Sequence, residues 1–279
     1  LPGLTARIEY GGTFDRGNWY YFQPEMKLGE MKQTSQSNRQ SSSSRYTNFK
    51  QYLTYMKDFG KHSLNIMAGH ESQQSEWENL SAGRTGYLFN NVHSINVGDL
   101  KTATNGSGSG CFAIESYYGR LNYNFDNRYL LTATLRADGS STFGPDNRWG
   151  WFPSAALAWR LKNESFLKDA QWLSDAKLRL GWGIVGNQNA GNYAYGSTMT
   201  TVATAWGSGF FPANFANSEL KWEETHSYNV GFDLAMFNNR VEFIFDAYLK
   251  NTNNLLMQAD LPTYAVSYTH LTLPTILLV

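Results

Sequence analysis

Glu223 and Glu224 stand side by side in NSELKWEETHSYNV, and a pair of carboxylates is what glycoside hydrolysis requires. On a strand, however, neighbouring side chains point to opposite faces, so the pair reads as a solvated strand entrance. The histidines offer no better constellation. His62 and His70 fall eight positions apart on one strand-like segment, which at about 3.4 Å per residue separates them by about 27 Å, too far to share a metal ion. His93 and His226 are remote from each other, and His270 lies in a C-terminal stretch set aside below. The single cysteine, Cys111, sits in NGSGSGCF, so no disulfide framework or four-cysteine zinc site can form within the chain, and a surface thiol on a loop is expected. The segment RADGSSTFGPDNRWG has the oxygen-rich composition of a calcium loop. It also holds the turn formers Asp138-Gly139 and Pro145-Asp146-Asn147, with Arg136, Asp138, Asp146 and Arg148 available to clamp a loop by charge. The expectation is no catalytic, cofactor-binding or metal-ligating residue. Ligand contact is the chemistry that remains, and its candidates are Trp77, Arg84, Trp206, Phe210 and Phe211, flat aromatics and a cation of the kind that bind sugars.

Composition constrains the elements that must position them. Hydrophobic residues make up 42% of the chain and aromatic ones 15%, but charged ones only 16%, against about 25% in soluble domains. Yet the mean hydropathy is −0.45, and no run of about 18 apolar residues offers a membrane helix. A β-barrel with a wet interior reconciles these facts, because only every second strand residue need be apolar. The formal net charge of zero gives no sign of a nucleic-acid partner.

The period of two is clearest in NVGFDLAMFNNRVEFIFDAYLK, residues 229–250. Val230, Phe232, Leu234 and Met236 share one face, and Val241, Phe243, Phe245, Ala247 and Leu249 share the matching face of a return strand. Asn238-Asn239 suits a type I′ turn. Similar segments are expected at about 4–12, 46–57, 62–74, 113–124, 129–138, 149–161, 175–186, 224–237 and 240–251. Most reach the about 9–11 residues that span a bilayer at a tilt. Short turns at 58–61, 125–127 and 238–239, and a medium connection at 163–174, alternate with long excursions at 13–45, 75–112, 139–148 and 187–223. Outer-membrane barrels show this asymmetry, with short periplasmic turns and long external loops. The polar tracts QSNRQSSSSR and SGSGCF are expected as mobile tips of those loops.

In AKLRLGWGIVG, Leu178, Leu180, Trp182 and Ile184 oppose Lys177, Arg179, Gly181 and Gly183. Aromatics crowd the strand ends, Tyr123, Phe125 and Tyr129 at one and Trp149, Trp151 and Phe152 at the other, as interfacial girdles do. Phe232, Leu234, Phe243 and Phe245 are therefore expected to face lipid, with Asp233, Glu242 and Asp246 toward water.

Three quoted blocks carry a family resemblance: YYGRLNYNFDNRYLLTATLRADGSSTFGPDNRWGWFPSAALAWRL, LSDAKLRLGWGIVGNQ, and NSELKWEETHSYNVGFDLAMFNNRVEFIFDAYLKNTNNLL. With the upstream hairpin YLTYMKDFGKHSLNIMAGHE, they resemble the β-barrel of the SusC/RagA family of TonB-linked outer-membrane proteins. The resemblance implies an all-β antiparallel up-and-down sheet, about nine strands of a transmembrane barrel of about 22. It also implies an N-terminal plug that engages the TonB complex, a SusD-like surface lipoprotein as partner, outer-membrane lipid around the barrel, and uptake of glycan or peptide in Bacteroidota. It favours barrel architecture over a calcium loop for RADGSSTFGPDNRWG, and it places the five candidate contacts in external loops. Residues 1–264 are read as part of such a barrel. The ending VSYTHLTLPTILLV has no place in the strand pattern and resembles a translated sequencing adapter, so residues 265–279 are expected to form no domain. The alternative is a soluble or surface-attached β-rich carbohydrate-binding module, which would pack two sheets face to face.

Overall fold

A computed structural model describes residues 2–214, 216–259 and 269–277. The strands are β1 (Leu4–Gln23), β2 (Met26–Leu28), β3 (Met31–Gln33), β4 (Gln36–Phe59), β5 (His62–Thr85), β6 (Thr104–Phe125) and β7 (Tyr129–Ser140). They continue with β8 (Trp149–Arg160), β9 (Leu173–Asn187), β10 (Met199–Thr204), β11 (Gly207–Pro212), β12 (Glu223–Met236), β13 (Val241–Ala259) and β14 (Thr269–Leu277). Ten of them form one sheet in the order β1-β4-β5-β6-β7-β8-β9-β12-β13-β14, and β2-β3 and β10-β11 are separate two-stranded hairpins. Contacts divide the chain into two units, one comprising Leu1–Glu9, Phe49–Ser72 and Ala113–Val279, the other Tyr10–Asn48 and Gln73–Phe112.

In the first unit the short turns follow from residue type. Asn238 and Asn239 take φ of 55° and 62° inside a turn closed by Arg240 N–H on the Phe237 carbonyl at 3.3 Å. Asp126 and Asn127, both at φ 52°, do the same between Phe125 and Arg128. Asn and Asp tolerate this left-handed geometry better than other residues with a Cβ. The connection after β8 begins with a 3-10 turn at Leu161–Asn163.

The registers keep the two faces distinct across five strands. Leu131 pairs with Leu157, Leu157 with Leu180, Leu180 with Val230, and Val230 with Ala247. Tyr129, Trp159, Leu178, Phe232 and Phe245 form the adjacent row. The connection after β8 meets these rows only at their Tyr129–Trp159 end, through Glu164, and beyond it they stand open: Leu157 is 52% exposed and Phe245 52%. On the opposite face Asp233 pairs with Lys177, and Gly231 lies between Arg179 and Asp246.

The buried core of this unit lies elsewhere. Phe143, Phe152, Ala194, Leu220 and Trp222 cluster with Ile184, Ala190, Tyr195 and Leu256 around them. Phe152, expected in an aromatic girdle, belongs here instead, because Gly150 and Gly186 leave room for its ring where a Cβ would overlap it. Trp222 Nε1 donates to the Arg148 carbonyl at 2.9 Å and Asn147 Nδ2 to the Ser218 carbonyl at 3.0 Å, fastening the 141–148 connection to the 188–222 connection.

The second unit departs from expectation. QSNRQSSSSR forms the first ten residues of β4, and NGSGSGCF lies within β6, so neither tract is a loop tip. Strands β4 and β5 each run for 24 residues and β6 for 22. Main-chain ladder bonds do not depend on side-chain polarity, and strands with both edges paired leave few backbone groups for water.

Residues 269–277 form β14, antiparallel to β13, with Leu273 opposite Leu255. The remainder of the stretch expected to be adapter-encoded, 265–268 and 278–279, lies outside the described residues.

Candidate functional site

The five candidate contacts fall on two separate elements. Trp206, Phe210 and Phe211 belong to the β10-β11 hairpin, in which Thr201 pairs with Phe210 and Thr200 with Phe211. Ala205 and Trp206 make the turn, and Trp206 is 97% exposed. Phe210 and Phe211 are adjacent and so lie on opposite faces. The hairpin rises from the 188–222 connection, whose ends are held by Ala194 and Leu220 in the buried cluster.

Trp77 and Arg84 both lie on β5, seven residues apart, and thus on opposite sides of the strand. Arg84 Nη1 donates to the carbonyls of Asn96 at 3.2 Å and Gly98 at 3.4 Å, which fixes the connection between β5 and β6. Ser35 supports the same connection through both backbone groups of the buried Tyr87. The Trp77 ring lies over β6, where a Cβ on Gly110 would sit 2.6 Å from its Nε1 and one on Gly108 3.4 Å from its Cζ3.

The polar face of the first unit holds charge clusters that pattern reading did not assemble. Arg179 makes a bidentate pair with Asp233, at 2.9 and 2.6 Å, and reaches Asp246 at 3.0 Å. Its path from β9 to β13 crosses Gly231, where a Cβ would meet Asp246 Oδ1 at 2.5 Å and Arg179 Cζ at 2.7 Å. Glu71, 6% exposed, joins Lys50 at 3.1 Å and Arg136 at 3.4 Å, and Arg136 also binds Asp138 and Ser116. Of the expected clamp, Arg136 and Asp138 come together, whereas RADGSSTFGPDNRWG is secured mainly by the wholly buried Phe143 and by buried Ser140 and Thr142.

At the turn end, Glu164 accepts from Tyr129 Oη at 2.7 Å, Trp159 Nε1 at 2.9 Å and Arg128 Nη1 at 3.2 Å. The tyrosine hydrogen bond above all, then the indole one, holds its carboxyl below the usual range. Lys61 does the same to Asp126 from 3.0 Å, with Arg128 assisting.

The residues tested for catalysis are occupied otherwise. Glu223 accepts from Asn187 Nδ2 and from the Leu256 N–H, while Glu224 approaches His226 at 3.5 Å. His62 meets the Tyr123 hydroxyl, His70 meets Gln51 and Glu115, and His93 meets the Asn90 carbonyl. Among the described residues no group of three or more His, Cys, Asp or Glu side chains is placed to hold a metal ion.

Residues 3–273 match the family described as TonB dependent receptor-like, beta-barrel. TonB-dependent receptor P3 of Formosa agariphila is 32% identical over 270 residues, covering 95% of this chain and 27% of that receptor. TonB-dependent receptor SusC of Bacteroides thetaiotaomicron is 38% identical over 227 residues, 76% of this chain and 21% of that receptor. The chain thus spans about a quarter of the length of these relatives. The solved RagAB peptide transporter superposes with a TM-score of 0.89 at 24% identity over 97% of this chain and 30% of that one, a likeness of fold.

Proposed function

Because the chain belongs to the TonB-dependent receptor β-barrel family, of SusC/RagA type, we propose that it is wall of an outer-membrane importer of large nutrients. The cargo would be glycan or oligosaccharide, with peptide as the second class. The carrying observation is the unpartnered apolar face of β7, β8, β9, β12 and β13 backed by an ion-paired polar face. From Tyr228 to Met236 that face covers about 27 Å of strand at about 3.4 Å per residue. A tilt of about 40° makes this about 21 Å of depth, close to the about 25 Å apolar band of outer-membrane barrels. Phe232, Leu234, Phe243 and Phe245 would then meet lipid, and Asp233, Glu242 and Asp246 a hydrated lumen. A carbohydrate-binding module of two packed sheets would instead bury these side chains, and among the described residues no second sheet covers them.

In this reading a plug engages the TonB complex and a SusD-like lipoprotein covers the mouth. Trp206, Phe210, Phe211 and Trp77 contact ligand or the lipoprotein, while Arg84 acts by holding the Asn96–Gly98 turn. In the same reading the barrel segment is residues 1–264 and 265–279 is adapter-encoded, which requires the β14 pairing of 269–277 and the end of the family match at 273 to be fortuitous. Sequencing untagged source DNA across this frame is expected to show a plug upstream, further amphipathic strands in place of Val266 onward, and an adjacent lipoprotein gene. The intact receptor should fractionate with the outer membrane, and its uptake should require TonB. Recovery in the soluble fraction, or flanks that encode a soluble enzyme, would overturn the reading.

A further inference from the structure

Strand β6 places glycine at every second position, Gly106, Gly108 and Gly110, which puts all three on one side of the strand. Trp77 lies lengthwise on this floor, its pyrrole edge against Gly110 and its benzo edge against Gly108. With 44% of its surface exposed, the indole has one face covered by backbone and the other open. Asn79 also borders Gly108, and Ser81 borders Gly106, so hydrogen-bonding groups continue the row beyond the ring.

Cross-strand contacts show what shares this side. Ser43 bonds Glu78 at 2.9 Å and Arg45 pairs with Glu76 at 2.7 Å, which sets Ser42 and Ser44 on the other side, with Trp77 and Asn79. Ser44 meets Asp15 at 3.5 Å, and Ser42 Oγ is 3.1 Å from where a Gly17 Cβ would be, so the odd residues of β1 join the same side. There Trp19 and Tyr21 lie parallel, with centroids 5.7 Å apart and exposures of 54% and 38%. Two strand spacings and four residues separate Trp77 from Trp19, about 16 Å in all.

We propose that this face of the second unit binds a neutral oligosaccharide, with Trp77 stacking against one sugar ring and Trp19 against another further along the chain. Asn79, Asp15, Ser42 and Ser44 supply hydroxyl partners between them. A pyranose offers an apolar face of C–H groups rimmed by hydroxyls, which complements a flat exposed ring among amides, hydroxyls and one carboxylate. A peptide is matched less well. β4 and β5 have both edges paired, so they offer no free ladder to an extended main chain. The proposal rests on the importer reading and names its substrate class.

The test uses the intact receptor with its partner lipoprotein, titrated calorimetrically with neutral oligosaccharides of increasing length and with mixed peptides. Trp77→Ala should weaken oligosaccharide binding about tenfold, as loss of an aromatic contact does, and Trp77→Phe should recover part of it. Trp19→Ala should weaken long oligosaccharides and leave short ones unchanged. If Trp77→Ala does not insert, Trp77→Phe and Asn79→Ala carry the test, and both must weaken binding. Unchanged affinity in variants that fold, or wild-type binding of peptides alone, overturns the platform while leaving the importer reading intact. A wild-type receptor that resides outside the outer membrane overturns both.

Discussion

One side of β5 carries two chemistries in succession. Leu64, Ile66 and Ala68 occupy alternate positions in the first unit, and Gln74, Glu76 and Glu78 occupy the same alternation in the second. Strand β4 repeats the contrast, with Leu53 and Tyr55 in one unit and Ser41, Ser43 and Arg45 in the other. Backbone pairing continues through both, so the change is one of side-chain chemistry, not of secondary structure. Hydrophobic alternation reports what a strand faces, and a strand that meets water on both sides needs none.

This contrast predicts unequal responses to charge. Leu180→Arg, in the middle of the Leu157–Leu180–Val230 row, should destabilise the intact receptor in a bilayer by about 2–4 kcal/mol. Ser107→Arg, on an exposed position of β6, should stay within about 0.5 kcal/mol. Urea titration of the receptor refolded into vesicles, followed by heat-modifiable mobility, measures both. Equal losses would show that the two regions do not differ in environment.

The same contrast decides what could be read in the sequence. The β12-β13 hairpin and its Asn238-Asn239 turn were legible, because apolar alternation and turn chemistry coincide there. QSNRQSSSSR and SGSGCF read as loop tips in the sequence but lie in β4 and β6, because serine and glycine give no such alternation and neighbouring strands impose the ladder. A signal was nonetheless present: glycine at 106, 108 and 110 has the strand period, and each is a place where a neighbouring strand's side chain can lie. The buried cluster was not legible. Phe143 and Leu220 are wholly buried but stand in aperiodic segments, and only the folded path brings them to Phe152 and Trp222. Trp77 was singled out for its type, whereas its glycine floor and its distance from Trp19 depend on registers that a single strand cannot disclose.

Glycines sharpen the comparison at the next level of effect. Gly110→Val would force Trp77 off β6, and Gly231→Val would break the Arg179 bridge across β12. Each should destabilise by about 1–3 kcal/mol through overpacking. Adding Trp77→Ala should relieve most of the Gly110→Val cost, since the clash is with that ring, but none of the Gly231→Val cost. A double-mutant cycle without coupling at 77 and 110 would show that the indole is not seated on the glycines.

A smaller effect belongs to the charges of the polar region. Arg45 and Glu76 meet at 2.7 Å with side chains 53% and 40% exposed. Arg45→Ala should therefore cost at most about 1 kcal/mol at low salt, and added salt should shrink the difference. A loss that persisted in salt would mean that the pair is shielded from water, contrary to the contrast drawn along β4 and β5.

The slightest change is expected at the turn end of the apolar band, where the anchor is a carboxylate. Tyr129 and Trp159 donate to Glu164 and hold its carboxyl below the ordinary range. A lowered folded-state value means that the unfolded chain binds the proton more readily, so this stabilisation is complete at neutral pH. It should begin to fade as pH falls past the usual glutamate value of about 4.3 and disappear below the folded-state value. Hydrogen exchange in residues 161–172 followed against pH should show protection lost only in acid. Glu164→Gln should exchange faster at neutral pH and show a smaller acid step, the remainder coming from Asp126, which Lys61 and Arg128 hold down in the same direction. An unchanged acid step in Glu164→Gln would assign the anchoring of the turn end to Asp126 alone and leave the aromatic pair of Tyr129 and Trp159 with packing as its only role.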